Sequence, residues 1–161
     1  MKLEKIMADE VKLPDLLRAG AVINDVKGNT LDEVFADIET RLELPAGYDR
    51  KLVVSELLAR EKILSTAVGN GIAIPHTRKS ILNSEADQRL IVCYLANSLD
   101  MDAPDGLKVS VFFILLTKST QVHSCALSDL ARLVGNGTFR HFLDTRPDLD
   151  SLLSKMREYN L

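Results

Sequence analysis

Two nearly continuous apolar runs constrain the fold more than any other feature of the sequence. They are RLIVCYL, residues 89–95, and VSVFFILL, residues 109–116, and both are rich in β-branched or aromatic residues. A strand with one face in water alternates polar and apolar residues, so continuous apolarity predicts strands that are covered on both faces. Turn residues at 102–106 separate the two runs. Each run therefore needs helices above and below it, which is an α/β layer arrangement.

Helical periodicity supplies those covering layers. The predicted helices span residues 31–42, 50–63, 119–135, 139–144 and 148–159. Asn29 or Thr30 could cap the first of them, and Ser119 or Thr120 could cap the third. The short segment Ile72–Pro75 is typical of a strand, and its proline indicates either a sheet edge or the end of the strand. We expect one domain over residues 1–161, with a mixed central β-sheet flanked by α-helices.

Composition and charge exclude several classes of protein. A net charge of −3 with a pI near 5.6 argues against a general nucleic-acid binder. The apolar run 109–117 is too short to cross a membrane, and Met1–Glu10 lacks the apolar core of a secretory signal. Cys93 and Cys125 stand singly in apolar segments without CxxC spacing, which predicts two buried thiols in a reducing compartment. We expect a cytoplasmic protein.

The segment VGNGIAIPHTRKS, residues 68–80, presents the first candidate for chemistry. Pro75 fixes the backbone directly before His76. Gly69 and Gly71 allow a neighbouring chain to approach closely. Because rigid sites are commonly presented on regular elements, His76 is a candidate catalytic residue.

His123 is the second candidate. It lies in the first turn of the helix predicted to begin at Ser119 or Thr120, beside free backbone N–H groups and the positive end of the helix dipole. That position favours an anion and a neutral imidazole that still donates one hydrogen bond. His141 has no supporting signal, and we interpret it as structural.

Other uses of histidine have less support. The sequence contains no HxH or HExxH pattern for a metal, no GxSxG elbow for a serine hydrolase and no GxGxxG or GxxxxGK[ST] loop for a nucleotide. We therefore predict no metal and no cofactor. The remaining chemistry is histidine as a nucleophile for a phosphoryl group, which requires mainly positioning and nearby cations. Arg60, Arg78 and Lys79 are the available cations, and Lys79 is best interpreted as a solvated surface charge.

These residues resemble a known active-site segment. AREKILSTAVGNGIAIPHTR, residues 59–78, is similar to that of the fructose/mannitol class of IIA phosphocarriers of the bacterial phosphotransferase system, which includes stand-alone nitrogen-regulatory IIA proteins. A second block, from the turn at 104–106 through His123, agrees in order and spacing. The resemblance covers roughly residues 13–156. The chain departs from the family pattern at Thr77, usually a smaller residue, and at Thr117-Lys118, where a proline is common.

The resemblance implies a phosphotransferase with His76 as the phosphorylated residue. It implies that His123 and Arg60 help to hold the phosphoryl group, and we add Thr66 and Arg78 as further support. The implied donor is the histidine-containing phosphocarrier protein. The acceptor is a regulatory or transport target if the protein belongs to the nitrogen-regulatory branch, which we favour, or a separate IIB protein in a sugar uptake chain. By resemblance the phosphorylated atom is Nε2, although the sequence alone leaves the choice of nitrogen open.

Overall fold

The structure is a computed structural model that describes residues 11–161. This part of the chain contains six α-helices: α1 (Leu13–Ala19), α2 (Leu31–Arg41), α3 (Arg50–Ile63), α4 (Thr120–Gly135), α5 (Gly137–Asp144) and α6 (Leu149–Glu158). It also contains five strands: β1 (Ala21–Val26), β2 (Ala67–Gly69), β3 (Ile72–Ala73), β4 (Arg89–Leu99) and β5 (Val109–Leu116). The prediction about Met1–Glu10 concerns residues outside this range.

The five strands form one mixed sheet in the order β1-β4-β5-β3-β2. The central strands β4 and β5 are antiparallel, while β1 runs parallel to β4 and β3 runs parallel to β5. Helices cover both faces of this sheet, which confirms the predicted fold class. The two apolar runs of the sequence are the two central strands.

Successive residues of β4 point to opposite sides of the sheet, and both sides are buried. Leu90, Val92 and Tyr94 pack in the apolar cluster formed by α1, α4, α5 and α6. Ile91, Cys93 and Leu95 pack in the second cluster, formed by α2 and α3. This double burial is the physical reason for the continuous apolar sequence of the strand.

The two cysteines differ in their surroundings. Cys93 is buried as predicted, and burial raises the pKa of its thiol to about 12. The prediction for Cys125 is wrong, because this side chain is exposed. The buried face of α4 passes through Ala126, Leu130 and Leu133, and one residue of rotation away from Ala126 turns Cys125 toward solvent.

Side-chain caps explain where the helices begin. Thr30 rather than Asn29 caps α2, accepting the N–H of Glu33 at 3.2 Å. Ser119 rather than Thr120 caps α4, accepting the N–H of Val122 at 3.3 Å. These hydroxyls satisfy N–H groups that have no partner within the helix.

Sequence periodicity missed three elements, namely α1, β1 and β2. Helix α1 has only seven residues, and β2 has three. Strand β1 has an irregular burial pattern, with Asp25 in the left-handed backbone region. Strand β3 pairs with neighbours on both sides, so Pro75 follows its end and does not mark an edge.

A tight turn between β2 and β3 sets the start of the segment that carries His76. Gly69, Asn70 and Gly71 all have positive φ, at 95°, 58° and 79°, a region that glycine and asparagine tolerate best. The carboxylate of Asp105 accepts the N–H of Asn70 at 2.7 Å. This bond ties the turn to the connection between β4 and β5, so the start of β3 is anchored.

Candidate functional site

The main chain around His76 continues the line of β3 along β5. The carbonyl of Pro75 accepts the N–H of Leu115 at 2.9 Å, and His76 forms an isolated parallel bridge with Leu115. Proline has no N–H to offer, but its carbonyl still completes the ladder. His76 is consequently fixed beside the end of the most apolar strand in the sheet.

A main-chain carbonyl orients the imidazole of His76. Nδ1 lies 2.8 Å from the carbonyl oxygen of Ile74. A carbonyl can only accept a hydrogen bond, so Nδ1 carries the hydrogen and donates it. In the neutral ring, Nε2 then holds the free electron pair. This half-buried imidazole therefore presents Nε2 as its basic nitrogen.

His123 lies against His76. The ring centroids are 5.1 Å apart and the rings meet edge to face at 61°. Burial, and secondly the charge of His76, hold the pKa of His123 below its ordinary value of 6.5. His123 is therefore neutral at pH 7 and can donate one hydrogen bond. The structure thus brings the two histidine candidates together.

The two rings line a polar cavity of about 190 Å³. Its lining consists of His76, Thr77, Arg78, Ser80, Leu115, Thr117, Lys118, Ser119, Thr120 and His123. Two of these side chains are cationic, and none of them is acidic. The amino end of α4 begins at the same wall, which adds the positive end of a helix dipole. The cavity is electrostatically suited to a small anion.

The remaining sequence candidates divide between the cavity and its surroundings. Arg78 lines the cavity and is exposed. Arg60 lies outside the lining, at the end of α3, where its guanidinium donates to the carbonyl of Leu64 at 2.6 Å. Thr66 is buried, and both its N–H and its hydroxyl donate to the carboxylate of Glu61. The structure thus brings His76, His123 and Arg78 together at the cavity, whereas Arg60 and Thr66 lie outside its lining.

Two buried polar residues support the site and were not found in the sequence. Glu61 is 5% exposed and follows Leu57 by four positions, so helical periodicity alone places it on the inner face of α3. Gln88 is 3% exposed, and its Oε1 accepts the N–H groups of Lys118 and Ser119, each at 3.0 Å. No local pattern signals this second role, because the partners lie about thirty residues away along the chain.

Comparison with known proteins assigns the chain to a family. Residues 15–158 match the family model described as phosphoenolpyruvate-dependent sugar phosphotransferase system, EIIA 2. The chain belongs to this family. Membership confirms the resemblance found in the sequence and implies a role in phosphoryl transfer.

Several EIIA 2 relatives share most of their length with this chain. A nitrogen regulatory protein of Pseudomonas aeruginosa is 33% identical over 146 residues, covering 88% of this chain and 92% of that protein. The crystal structure of the nitrogen regulatory protein IIA-Ntr of Neisseria meningitidis superposes with a TM-score of 0.70 at 26% identity, covering 88% and 96% of the two chains. The complex of enzyme IIAMTL with phosphorylated enzyme IIBMTL from Escherichia coli shares the fold, with a TM-score of 0.58, 15% identity, and coverage of 90% and 95%.

Within residues 11–161, none of the helices has the length and apolarity required to cross a bilayer.

Proposed function

We propose that this EIIA 2 protein is a phosphohistidine carrier that accepts a phosphoryl group on Nε2 of His76. The observation that carries the proposal is the orientation of that ring. The carbonyl of Ile74 holds Nδ1, which leaves Nε2 as the nucleophile, in a cavity with cationic side chains and a second histidine.

The donor in this proposal is the phosphorylated form of the histidine-containing phosphocarrier protein. The electron pair of Nε2 attacks phosphorus as the P–N bond of the donor breaks, and the donor imidazole leaves with the electrons of that bond. His76 keeps its Nδ1 hydrogen throughout, so the ring becomes a phosphorylated imidazolium bonded to Ile74. The reverse step on an acceptor protein regenerates neutral His76.

The surrounding groups stabilise the transferred phosphoryl oxygens. His123 donates a hydrogen bond, while Arg78 and the amino end of α4 supply positive potential. Thr66 supports the site from behind, since its carbonyl accepts the N–H of Ile74 at 3.1 Å and Ile74 in turn holds His76. Arg60 lies outside the cavity lining and donates to the carbonyl of Leu64, so in this proposal its side chain moves to reach the phosphoryl group.

The acceptor in this proposal is a regulatory or transport target protein. The similarity to nitrogen regulatory proteins from two organisms supports this branch. The proposed carrier acts in the cytoplasm and uses neither a cofactor nor nucleic acid. Transfer to a separate IIB protein in sugar uptake is the second candidate, supported by the family description and by the shared fold of enzyme IIAMTL.

Phosphorylation of the purified protein tests the central claim. The protein is incubated with phosphoenolpyruvate, enzyme I and the phosphocarrier protein, and acid-labile, base-stable label is measured. His76→Ala should take up no label, and His123→Ala should label about 10²-fold more slowly, the usual scale for one preorganised donor. His141→Ala is the matched control, because His141 is an exposed histidine on α5 outside the cavity. Equal labelling of His76→Ala and wild type would refute the proposal.

Gene deletion separates the two candidate functions. Loss of a regulatory carrier should disturb a regulatory or ion-transport phenotype while growth on each single phosphotransferase sugar stays near normal. Loss of growth on one such sugar would instead establish the uptake role. A chromosomal His76→Ala allele serves as the comparison, since it removes the phosphoryl acceptor and leaves the protein in place.

A further inference from the structure

Within residues 11–161, His123 has a single side-chain hydrogen bond, which it makes with Thr117. Thr117 directly follows β5 and is half-buried at the wall of the cavity. Its Oγ1 lies 3.0 Å from Nδ1 of His123. The bond occupies one nitrogen of the ring, so Nε2 is the nitrogen left for a ligand.

The position of this hydroxyl is fixed by the turn that carries it. Ser80 donates its hydroxyl to the carbonyl of Thr117 at 2.8 Å. Immediately after Thr117, the N–H groups of Lys118 and Ser119 both donate to the buried amide oxygen of Gln88. The amide nitrogen of Gln88 donates in turn to the carbonyl of Glu85 at 3.1 Å, so the anchoring side chain is itself held.

The direction of the bond between Thr117 and His123 decides what the cavity offers to an anion. A neutral imidazole carries one hydrogen, whereas a hydroxyl can either donate or accept. If the hydroxyl donates to Nδ1, the ring hydrogen lies on Nε2 and is available as a donor. If the hydroxyl accepts, Nε2 is a bare electron pair that repels anionic oxygens.

The neighbouring ring favours the first direction. His76 already has its hydrogen on Nδ1, because a carbonyl holds that atom, and its Nε2 is an electron pair. A second electron pair on His123 would place two like partial charges at one small cavity. Burial, and secondly His76, lower the pKa of His123 below its ordinary value, which disfavours protonation of both of its nitrogens at pH 7.

We infer that Thr117 is a positioning residue whose hydroxyl donates to Nδ1 of His123 and thereby fixes the Nε2–H tautomer of that ring. The two histidines then hold opposite tautomers. A carbonyl makes His76 the electron-pair donor, and a hydroxyl makes His123 the hydrogen-bond donor. This inference rests on the proposed phosphoryl transfer for its consequence, although the tautomer itself can be measured without any phosphate donor.

Long-range ¹H–¹⁵N correlation spectra of histidine-labelled full-length protein, recorded at pH 8, test the tautomer. Wild-type His123 should show the shift pattern of the Nε2–H form, and Thr117→Ser should keep it. Thr117→Val has nearly the same shape without the hydroxyl, and its His123 should become a mixture of both forms. Phosphorylation of Thr117→Val should slow by about tenfold, by analogy with the lower end of the range for hydrogen-bond partners that orient metal-ligating histidines. Thr117→Ser should restore the rate.

Thr138→Val is the matched control, because Thr138 is an exposed threonine on α5 outside the cavity lining. An Nδ1–H form of wild-type His123 would overturn the inference, as would an unchanged tautomer in folded Thr117→Val. If Thr117→Val fails to fold, the tautomer of His123 in the wild-type spectrum alone tests the inference. The two proposals fail separately. If His123 is the Nε2–H tautomer but the protein takes up no label, only the phosphocarrier function is refuted. If the protein labels rapidly but His123 is the Nδ1–H tautomer, only the role of Thr117 is refuted.

Discussion

Replacing Thr66 by valine should destabilise the protein through Glu61. Both oxygens of this carboxylate accept hydrogen bonds from Thr66, and the two residues are 5% and 7% exposed. Thr66→Val keeps the size of the side chain but removes the hydroxyl, which donates to Oε1 at 2.6 Å. A buried acceptor is then left without its partner, at a cost of about 1–3 kcal/mol.

Urea unfolding followed by circular dichroism measures this cost. With a slope of about 2 kcal/mol per molar urea, the midpoint should fall by roughly 0.5–1.5 M. Thr40→Val is the control, since Thr40 is an exposed helical threonine whose hydroxyl also donates, to the carbonyl of Asp37. Its free energy of unfolding should stay within about 0.5 kcal/mol of wild type.

A double-mutant cycle identifies the cause of the loss. The variant with both Glu61→Leu and Thr66→Val removes the hydroxyl and the carboxylate together, so it should lose less than the sum of the two single changes. The main-chain N–H of Thr66 loses its acceptor in Glu61→Leu and in the double variant alike, so this loss cancels in the cycle. Equal midpoints for Thr66→Val and Thr40→Val would refute the reasoning. Strict additivity in the cycle would show that the two side chains act independently.

Three further outcomes follow from the structure. Gly20→Ala should prevent stable folding, because a Cβ there would lie 1.8 Å from a main-chain carbonyl oxygen of β4. The loss of the cooperative urea transition measures this effect. Gly135→Ala is the control and should leave the stability unchanged, because the space around Gly135 is open. Two main-chain N–H groups lower the pKa of Asp105 below 3.8. That carboxylate therefore stabilises the fold above pH 3.8, and the stabilisation is lost as the pH falls through its lower folded-state pKa. In that pH window, the urea midpoint of Asp105→Asn should depend less on pH than the midpoint of the wild-type protein. In an NMR titration of His76→Ala, the pKa of His123 should rise, because one of the two causes that lower it is removed; an unmoved pKa would leave burial as the sole cause.

The centre of the fold could be predicted from the sequence because its physical cause is local. Strands β4 and β5 are buried on both faces, which leaves a continuous apolar run in each. The edge strands β1 and β2 are short and irregular, and they are recognisable only by the neighbours with which they pair. Periodicity carries no information about such long-range pairing.

In the site too, some residues could be predicted from the local sequence and others depend on tertiary contacts. A strand end and a helix start identified His76 and His123 as separate candidates, and the family resemblance implied that they share a site. The structure places their ring centroids 5.1 Å apart. Arg60 could not be placed from the sequence, because an arginine in the last turn of a helix can instead bond the free carbonyls there. The contact of Gln88 with the turn after β5 also depends on tertiary structure alone.

The strand order has a consequence for the chain as it is synthesised. His76 leaves the ribosome before β5, its sheet partner, and before the helix that carries His123. At about 5–20 residues per second, several seconds separate the two histidines, and during that time no cavity exists. Under the proposed phosphocarrier function, a donor protein that recognises the assembled pocket could therefore not phosphorylate a chain that ends before α4. In a cell, phosphorylation would then be confined to chains in which the pocket has already formed.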